Sequence, residues 1–123
     1  MQQLKIIDDY IKKNYNNINV IGCKTIREKN GIAYSSRNFL LSKNEKVIAS
    51  KIYKLLKNKK KSFINNPTTL RKVKKKILDL GVNKIDYIKL LDINKMVKPY
   101  KREKKYRIFI AYYLKATRLI DNI

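Results

Sequence analysis

The residues best equipped for chemistry lie in one run, Thr25 to Ser42, TIREKNGIAYSSRNFLLS. Ser35 and Ser36 bring two hydroxyls that donate to phosphoryl oxygens. Arg37 adds a planar, permanently charged fork that binds such oxygens in pairs. Gly31, just upstream, lets the backbone turn tightly or approach a ligand with no Cβ in the way. Two hydroxyls and a guanidinium ahead of a helix start suit the holding of a nucleotide's phosphates. Spacing alone leaves a second reading open, because an arbitrary Ser-Ser-Arg-Asn is more often a solvated turn.

The surrounding elements must hold that run in place. Gln2 to Tyr15 reads as a helix, with Leu4, Ile7, Ile11 and Tyr15 at helical spacing. Asn14 to Asn19 is a turn cluster. Ile18 to Ile26 then reads as a short strand with Val20 and Ile21 buried and Cys23 a small buried hydrophobe. Helix followed by strand is how the tail of a Rossmann-like layer would look. A single such pair has no sheet to join within this chain, so its apolar faces are expected to be partly uncovered.

After the run, Ser42 and Glu45 fit a capping box that opens a helix with Val47, Ile48, Ile52, Leu55 and Leu56 on its buried stripe. Lys57 to Lys61 then reads as that helix's C-terminal end, where the dipole favours cations. Asn66-Pro67 signals a second start, followed by Leu70, Val73, Ile77 and Leu80, with Gly81 as a left-handed cap. Lys84 to Asp92 reads as a strand, Asp92 to Lys105 as a loop or short hairpin, and Tyr106 to Leu114 as a strand rich in aromatic and β-branched residues. The fold class is therefore α+β. A small C-terminal domain, residues 42–123, has helices and a short antiparallel sheet. Residues 1–41 form the last helix and strand of a Rossmann-like nucleotide-binding domain.

Composition narrows the function classes. The 123 residues carry 31 basic and 9 acidic side chains, a formal net charge of +22. Such an excess raises the prospect of binding nucleic acid or an anionic membrane. Lysine far outnumbers arginine, however, and Lys, Ile, Asn and Tyr make up roughly half the chain. All four have AT-rich codons, so base composition accounts for the lysines more simply. With one cysteine, no intrachain disulfide and no Cys-rich metal site can form. No apolar run is long enough to span a bilayer, and the first residues carry no uninterrupted apolar signal region. The chain is expected to be cytoplasmic, with no membrane partner.

The run Arg27-Glu28 through Gly31-Ile32-Ala33 to Ser35-Ser36-Arg37-Asn38 resembles the ATP-binding loop of the pantothenate synthetases (pantoate–β-alanine ligases), which has the form REx-x-GLA-x-SSRN-x-x-L. That loop is the family's version of the KMSKS loop of class I aminoacyl-tRNA synthetases. Gln2-Gln3-Leu4 is similar to the family's QQL segment, and Thr117 to Ile123 resembles its TRLIDN-type ending. The resemblance covers the chain from end to end and implies the C-terminal part of a longer enzyme, with its α+β lid domain. It implies an ATP-dependent ligase that joins pantoate to β-alanine through a pantoyl adenylate, with Mg²⁺ sharing the charge of the phosphates. By resemblance Ser35, Ser36 and Arg37 contact the ATP phosphates, Arg37 being the catalytic residue that stabilises departing pyrophosphate. Ile26 and Tyr34 sit where the family contacts adenine, partly through backbone groups, and Gln3 matches a pantoate-binding glutamine. No protein-held metal site is expected.

The family pattern is also departed from. Tyr34 stands where many members have Met or Leu. The Lys-Asp pair that the family places before QQL would precede Met1, and the chain has no histidine for a HIGH-type motif. These departures imply that this chain alone is inactive and leave three readings open: a degraded remnant, a gene call from an internal start, or one half of a split enzyme whose partner is a separate N-terminal half. Two other groups of charges read as structural. Asp8 and Asp9 are solvated neighbours on a helix, and Arg118 with Asp121 reads as a local ion pair. A small basic nucleic-acid-binding module is the alternative reading of the whole chain.

Overall fold

The computed structural model describes residues 2–65, 68–92 and 106–123. Helix α1 spans Gln2–Asn14, helix α2 Lys43–Asn65 and helix α3 Thr68–Asp79. Strands β1 (Lys84–Asp92), β2 (Tyr106–Leu114) and β3 (Thr117–Asn122) form one antiparallel sheet in the order β1-β2-β3. The expected α+β class is the observed one. The Asn66-Pro67 signal and the segment 93–105 lie outside the described residues.

The sheet explains the apolar density of β2. As the central strand it is covered on both faces, and Ile108, Phe109, Ile110, Ala111 and Tyr112 are all buried. Its Ile108, Ile110, Tyr112 and Leu114 pack with Ile52 and Leu56 of α2, Val73 and Ile77 of α3, and Leu119 and Ile123. Ile32 and Leu41, from the segment before α2, join the same core. Each fully buried aliphatic side chain here contributes roughly 1.5–3 kcal/mol. Across the β2–β3 turn Leu114 pairs with Thr117. Lys115 takes a positive φ of 48° there, and its N–H donates to Asn83 Oδ1 at 2.6 Å. Gly81, at φ 100°, ends α3 as the left-handed cap that its position suggested.

The capping box at α2 forms as read. The Ser42 N–H and hydroxyl both donate to Glu45 Oε2, at 2.8 and 2.6 Å, and the Glu45 N–H donates to Ser42 Oγ at 3.3 Å. The Ser42 hydroxyl and then its backbone N–H hold the Glu45 carboxyl below its usual range. A depressed carboxylate stabilises the fold above its unfolded-state pKa and loses that contribution as pH falls through the folded-state value. Ser42→Ala is expected to lower the melting temperature by roughly 3–6 °C at neutral pH. The gap between variant and wild type should narrow as pH falls through the Glu45 folded-state value, and the Ser42 Oγ bond to the Glu45 N–H, which does not titrate, should keep part of it; thermal melts across an acid series would check this.

Four expectations are corrected. Ile18 to Ile26 has no regular secondary structure and is not a strand, since no neighbouring strand offers it a ladder among the described residues. Ile21 is 83% exposed and Cys23 is exposed rather than buried. Helix α2 runs past Lys57 to Lys61 as far as Asn65, because buried Phe63 extends the stripe of Ile52 and Leu56 by two further turns. Finally, Arg118 and Asp121 do not pair with each other. Three residues apart on a strand, they face opposite sides of the sheet. Arg118 Nε donates to Asp86 Oδ2 at 2.7 Å, and Asp121 binds Arg27.

The uncovered apolar surface expected near the N-terminus is present. Ile6, Ile7, Tyr10, Tyr15, Ile18 and Ile21 are all exposed. Asp8 and Asp9 lie on the helix surface as expected, and each also pairs with a lysine one turn away, Asp8 with Lys12 and Asp9 with Lys5.

Candidate functional site

The candidate run begins as a tight hairpin. The Tyr34 N–H donates to the Ile26 carbonyl at 3.1 Å, the Glu28 N–H to the Ile32 carbonyl at 2.8 Å, and the Gly31 N–H to the Glu28 carbonyl at 2.8 Å. Gly31 closes the turn at φ 94°, a conformation that favours glycine. A Cβ there would also lie 2.3 Å from the Tyr53 ring, so glycine is required twice over.

Short polar side chains then bind the hairpin to the next turn and to α2. Asn38 Nδ2 donates to Glu28 Oε1 at 2.7 Å and to the Ala33 carbonyl at 3.0 Å. Asn30 Nδ2 donates to Glu28 Oε2, and Asn30 Oδ1 accepts from the Ile32 N–H. The Ser50 hydroxyl donates to the Asn30 carbonyl at 2.7 Å, tying the hairpin to α2. Asn38 is buried, and its Oδ1 has no hydrogen-bond partner among the described residues.

Residues Ser36–Leu40 form a short 3-10 turn. Ser35 caps it, its Oγ accepting from the Arg37 N–H at 3.3 Å. That leaves the Ser36 hydroxyl and the Arg37 guanidinium exposed and without a partner among the described residues. Tyr34, Ser35 and Ser36 line an open groove with Phe39 and Lys46 of α2. Lys46 adds a positive charge that the sequence did not single out; its only signal was position, one turn after the cap. On the inner side Ser35 and Arg37 border a cavity of about 230 Å³ that reaches Tyr53, Tyr112 and Asp121. Burial, and then Asp121, raises the pKa of the Tyr112 hydroxyl, so it stays protonated.

The structure thus brings Tyr34, Ser35, Ser36 and Arg37 together, with Ile26 bonded to Tyr34 across the hairpin. Gln3 lies in a second cleft with Thr25, Tyr87, Phe109 and Asn122, which shares Ala33, Ile120 and Asp121 with the cavity beside Ser35 and Arg37. Among the described residues no three His, Cys, Asp or Glu side chains are grouped to hold a metal ion. No helix there is long and apolar enough to cross a membrane.

The second arginine of the run has a different fate. Arg27 is largely buried, and its fork meets Asp121 through Nη1–Oδ2 at 2.7 Å and Nη2–Oδ1 at 2.9 Å. The same nitrogens donate to the carbonyls of Gly31 and Asn122. Its carbon Cζ lies 4.4 Å from the Tyr53 ring centroid. Burial opposes this charge, but the Asp121 carboxylate outweighs it and the net shift of the Arg27 pKa is upward. Nothing local marks this pair in the sequence, since its members are 94 residues apart.

A family model described as Pantoate-beta-alanine ligase matches residues 1–123. The chain belongs to the pantoate-beta-alanine ligase family. The pantothenate synthetase of Sulfurihydrogenibium sp. is 37% identical over 128 residues, and that of Flavobacterium psychrophilum 35% over 126. Each alignment takes in 99% of this chain and 45% of the relative. The chain therefore spans less than half the length of the curated relatives it matches. Among solved structures, pantothenate synthetase from Thermus thermophilus shares the fold, with a TM-score of 0.83 at 24% identity, over 99% of this chain and 45% of that one. Pantoate-beta-alanine ligase from Francisella tularensis, complexed with beta-gamma ATP and beta-alanine, has a TM-score of 0.72 at 33% identity, over 99% of this chain and 39% of its own. The resemblance read from the loop, the QQL segment and the last strand is thus a true family relationship.

Proposed function

We propose that this chain supplies the ATP loop and lid of a pantoate–β-alanine ligase of the pantothenate pathway. Residues 1–41 would end the nucleotide-binding domain, with a KMSKS-like loop, and residues 42–123 would form the lid. The observation that carries this reading is the pair of uncommitted groups, Ser36 Oγ and Arg37, presented on a turn that Ser35, Asn38 and Glu28 brace from beneath.

In the first step a pantoate carboxylate oxygen attacks the α-phosphorus of ATP. The α–β phosphoanhydride bond breaks, its electron pair leaves with pyrophosphate, and pantoyl adenylate forms. In the second, the β-alanine amine attacks the acyl carbon, the bond to the AMP oxygen breaks, and the amine gives up a proton. Charge grows on the β-phosphate in the first step. A guanidinium there stabilises the transition state more than the ground state, which is the requirement for catalysis. Ser35 and Ser36 donate to the phosphoryl oxygens. The Ile26 N–H and the Tyr34 carbonyl, which make no hydrogen bond among the described residues, suit the acceptor and donor of an adenine edge. Gln3 is assigned to pantoate. Mg²⁺ in this reading arrives with the nucleotide phosphates as part of the substrate.

Cytoplasmic biosynthesis fits this role, as does a separate N-terminal half as partner. The test is pantoate-dependent ATP–pyrophosphate exchange with the 123-residue chain, alone and mixed with the remaining portion of a full-length family member. No exchange alone and clear exchange in the mixture is the expected result. Exchange by the chain alone would overturn the division of labour, and none in either sample would overturn the ligase reading.

A further inference from the structure

Arg27 is the better-placed arginine for binding inside the protein and the worse-placed one for binding ATP. Its Nη1 and Nη2 each make two hydrogen bonds, two to Asp121 and one each to the Gly31 and Asn122 carbonyls. Tyr53 covers the guanidinium face. Those contacts come from three elements: the hairpin itself, helix α2 and strand β3. Arg27 also bridges Ala33 across the hairpin, two residues before Ser35. Whatever fixes the Arg27 backbone therefore fixes the starting point of the Ser35–Arg37 turn.

We propose that Arg27 and Asp121 are positioning residues, a latch that sets where the phosphate-binding turn is presented relative to the lid. The fork geometry matters as well as the charge. A bidentate guanidinium–carboxylate pair admits one planar arrangement, whereas a lysine would hold the hairpin by a single swivelling contact. The Tyr53 ring limits the remaining rotation, and Gly31 is what allows that ring to lie so close. The functional part of this proposal rests on the reading of Ser35, Ser36 and Arg37 as ATP ligands; the mechanical part does not.

Two measurements on the full 123-residue chain separate these parts. Variants are Arg27→Lys, Asp121→Asn, and the double variant Arg27→Gln with Asp121→Asn, which leaves no unpaired buried charge should a single variant fail to fold. In amide hydrogen exchange, Glu28 and Tyr34, whose N–H groups close the hairpin, should exchange at least tenfold faster in every folded variant. Ile108 and Ile123, which pair at the sheet's end, should change less than twofold. In a MgATP titration followed by amide shifts of Ser35 to Arg37, the dissociation constant should rise about tenfold. Arg27→Lys should recover little of it, though it keeps the charge. Equal acceleration in hairpin and sheet would reduce the pair to a general stabiliser and overturn the latch. So would unchanged hairpin exchange, or full recovery by lysine. A wild-type chain that binds no MgATP would remove the nucleotide reading, and the exchange ratio would then decide the latch by itself.

Discussion

Replacing Arg37 with alanine is expected to lower pantoate-dependent ATP–pyrophosphate exchange by roughly 100- to 1,000-fold in the reconstituted ligase. The melting temperature of the chain should move by no more than about 1 °C, because surface substitutions away from packing and caps are near neutral. Arg37 is exposed, and its guanidinium has no partner among the described residues, so removing it breaks nothing within the fold. Arg37→Lys should recover part of the loss, since a point charge remains but the two-pronged geometry does not. Arg27 is the internal control. It lies ten residues upstream, with the same side chain, yet its fork is committed to Asp121, and its loss should show in hairpin exchange as well as in ATP affinity. Exchange rates and thermal melts on Arg37→Ala, Arg37→Lys and wild type would check the prediction. A large loss of stability with Arg37→Ala would mean that this side chain is structural after all.

Gly31→Ala is expected to destabilise the chain by about 2–4 kcal/mol, the sum of two separable costs. A non-glycine residue at φ 94° is strained by about 1–2 kcal/mol. The new Cβ would also stand 2.3 Å from Tyr53 Cδ1 and 2.5 Å from Cε1. That obstacle is a ring edge held under a guanidinium, which cannot move aside without giving up its contact with Arg27. Chemical denaturation should therefore show a lower midpoint. The double variant Gly31→Ala with Tyr53→Leu, which removes the ring, should recover the steric part but not the backbone part. A midpoint within error of wild type for Gly31→Ala would contradict the hairpin geometry.

Much of the C-terminal fold is legible in the sequence because its signals are local. Ser42 and Glu45 carry a capping box, Gly81 a left-handed cap, and YRIFIAYYL a buried strand, and all three form where those signals lie. Strand β3 is less legible. Thr117 to Asn122 is short and mixes charge with apolar residues, and it pairs only because β2 presents an edge one tight turn earlier. The failure at Ile18 to Ile26 has the opposite cause. The pattern is strand-like, but a strand is completed by a neighbour, and no described residue offers one. Cys23 shares the same error, its expected burial depending on that missing sheet.

At the candidate site, the residue types of Ser35, Ser36 and Arg37 are enough to suggest phosphate chemistry. The difference between Arg37 and Arg27 is not visible there. Both arginines sit in the same polar run, and only the fold brings Asp121, remote in sequence and close in space, to one and leaves the other free. The exposed apolar residues Ile6, Ile7, Tyr10 and Ile21 belong to the same lesson. Helical spacing foretells an apolar face on α1, but not what lies against it.

The most direct test of the nucleotide site is a MgATP titration of the 123-residue chain, followed by backbone amide shifts and repeated with Arg37→Ala. Saturable shifts confined to Ile26 and to Tyr34 through Arg37, at millimolar nucleotide and strongly weakened by Arg37→Ala, are the predicted result. Shifts spread over the lysines of α2 and α3, falling away with salt and indifferent to Arg37→Ala, would contradict it and favour the basic nucleic-acid-binding module.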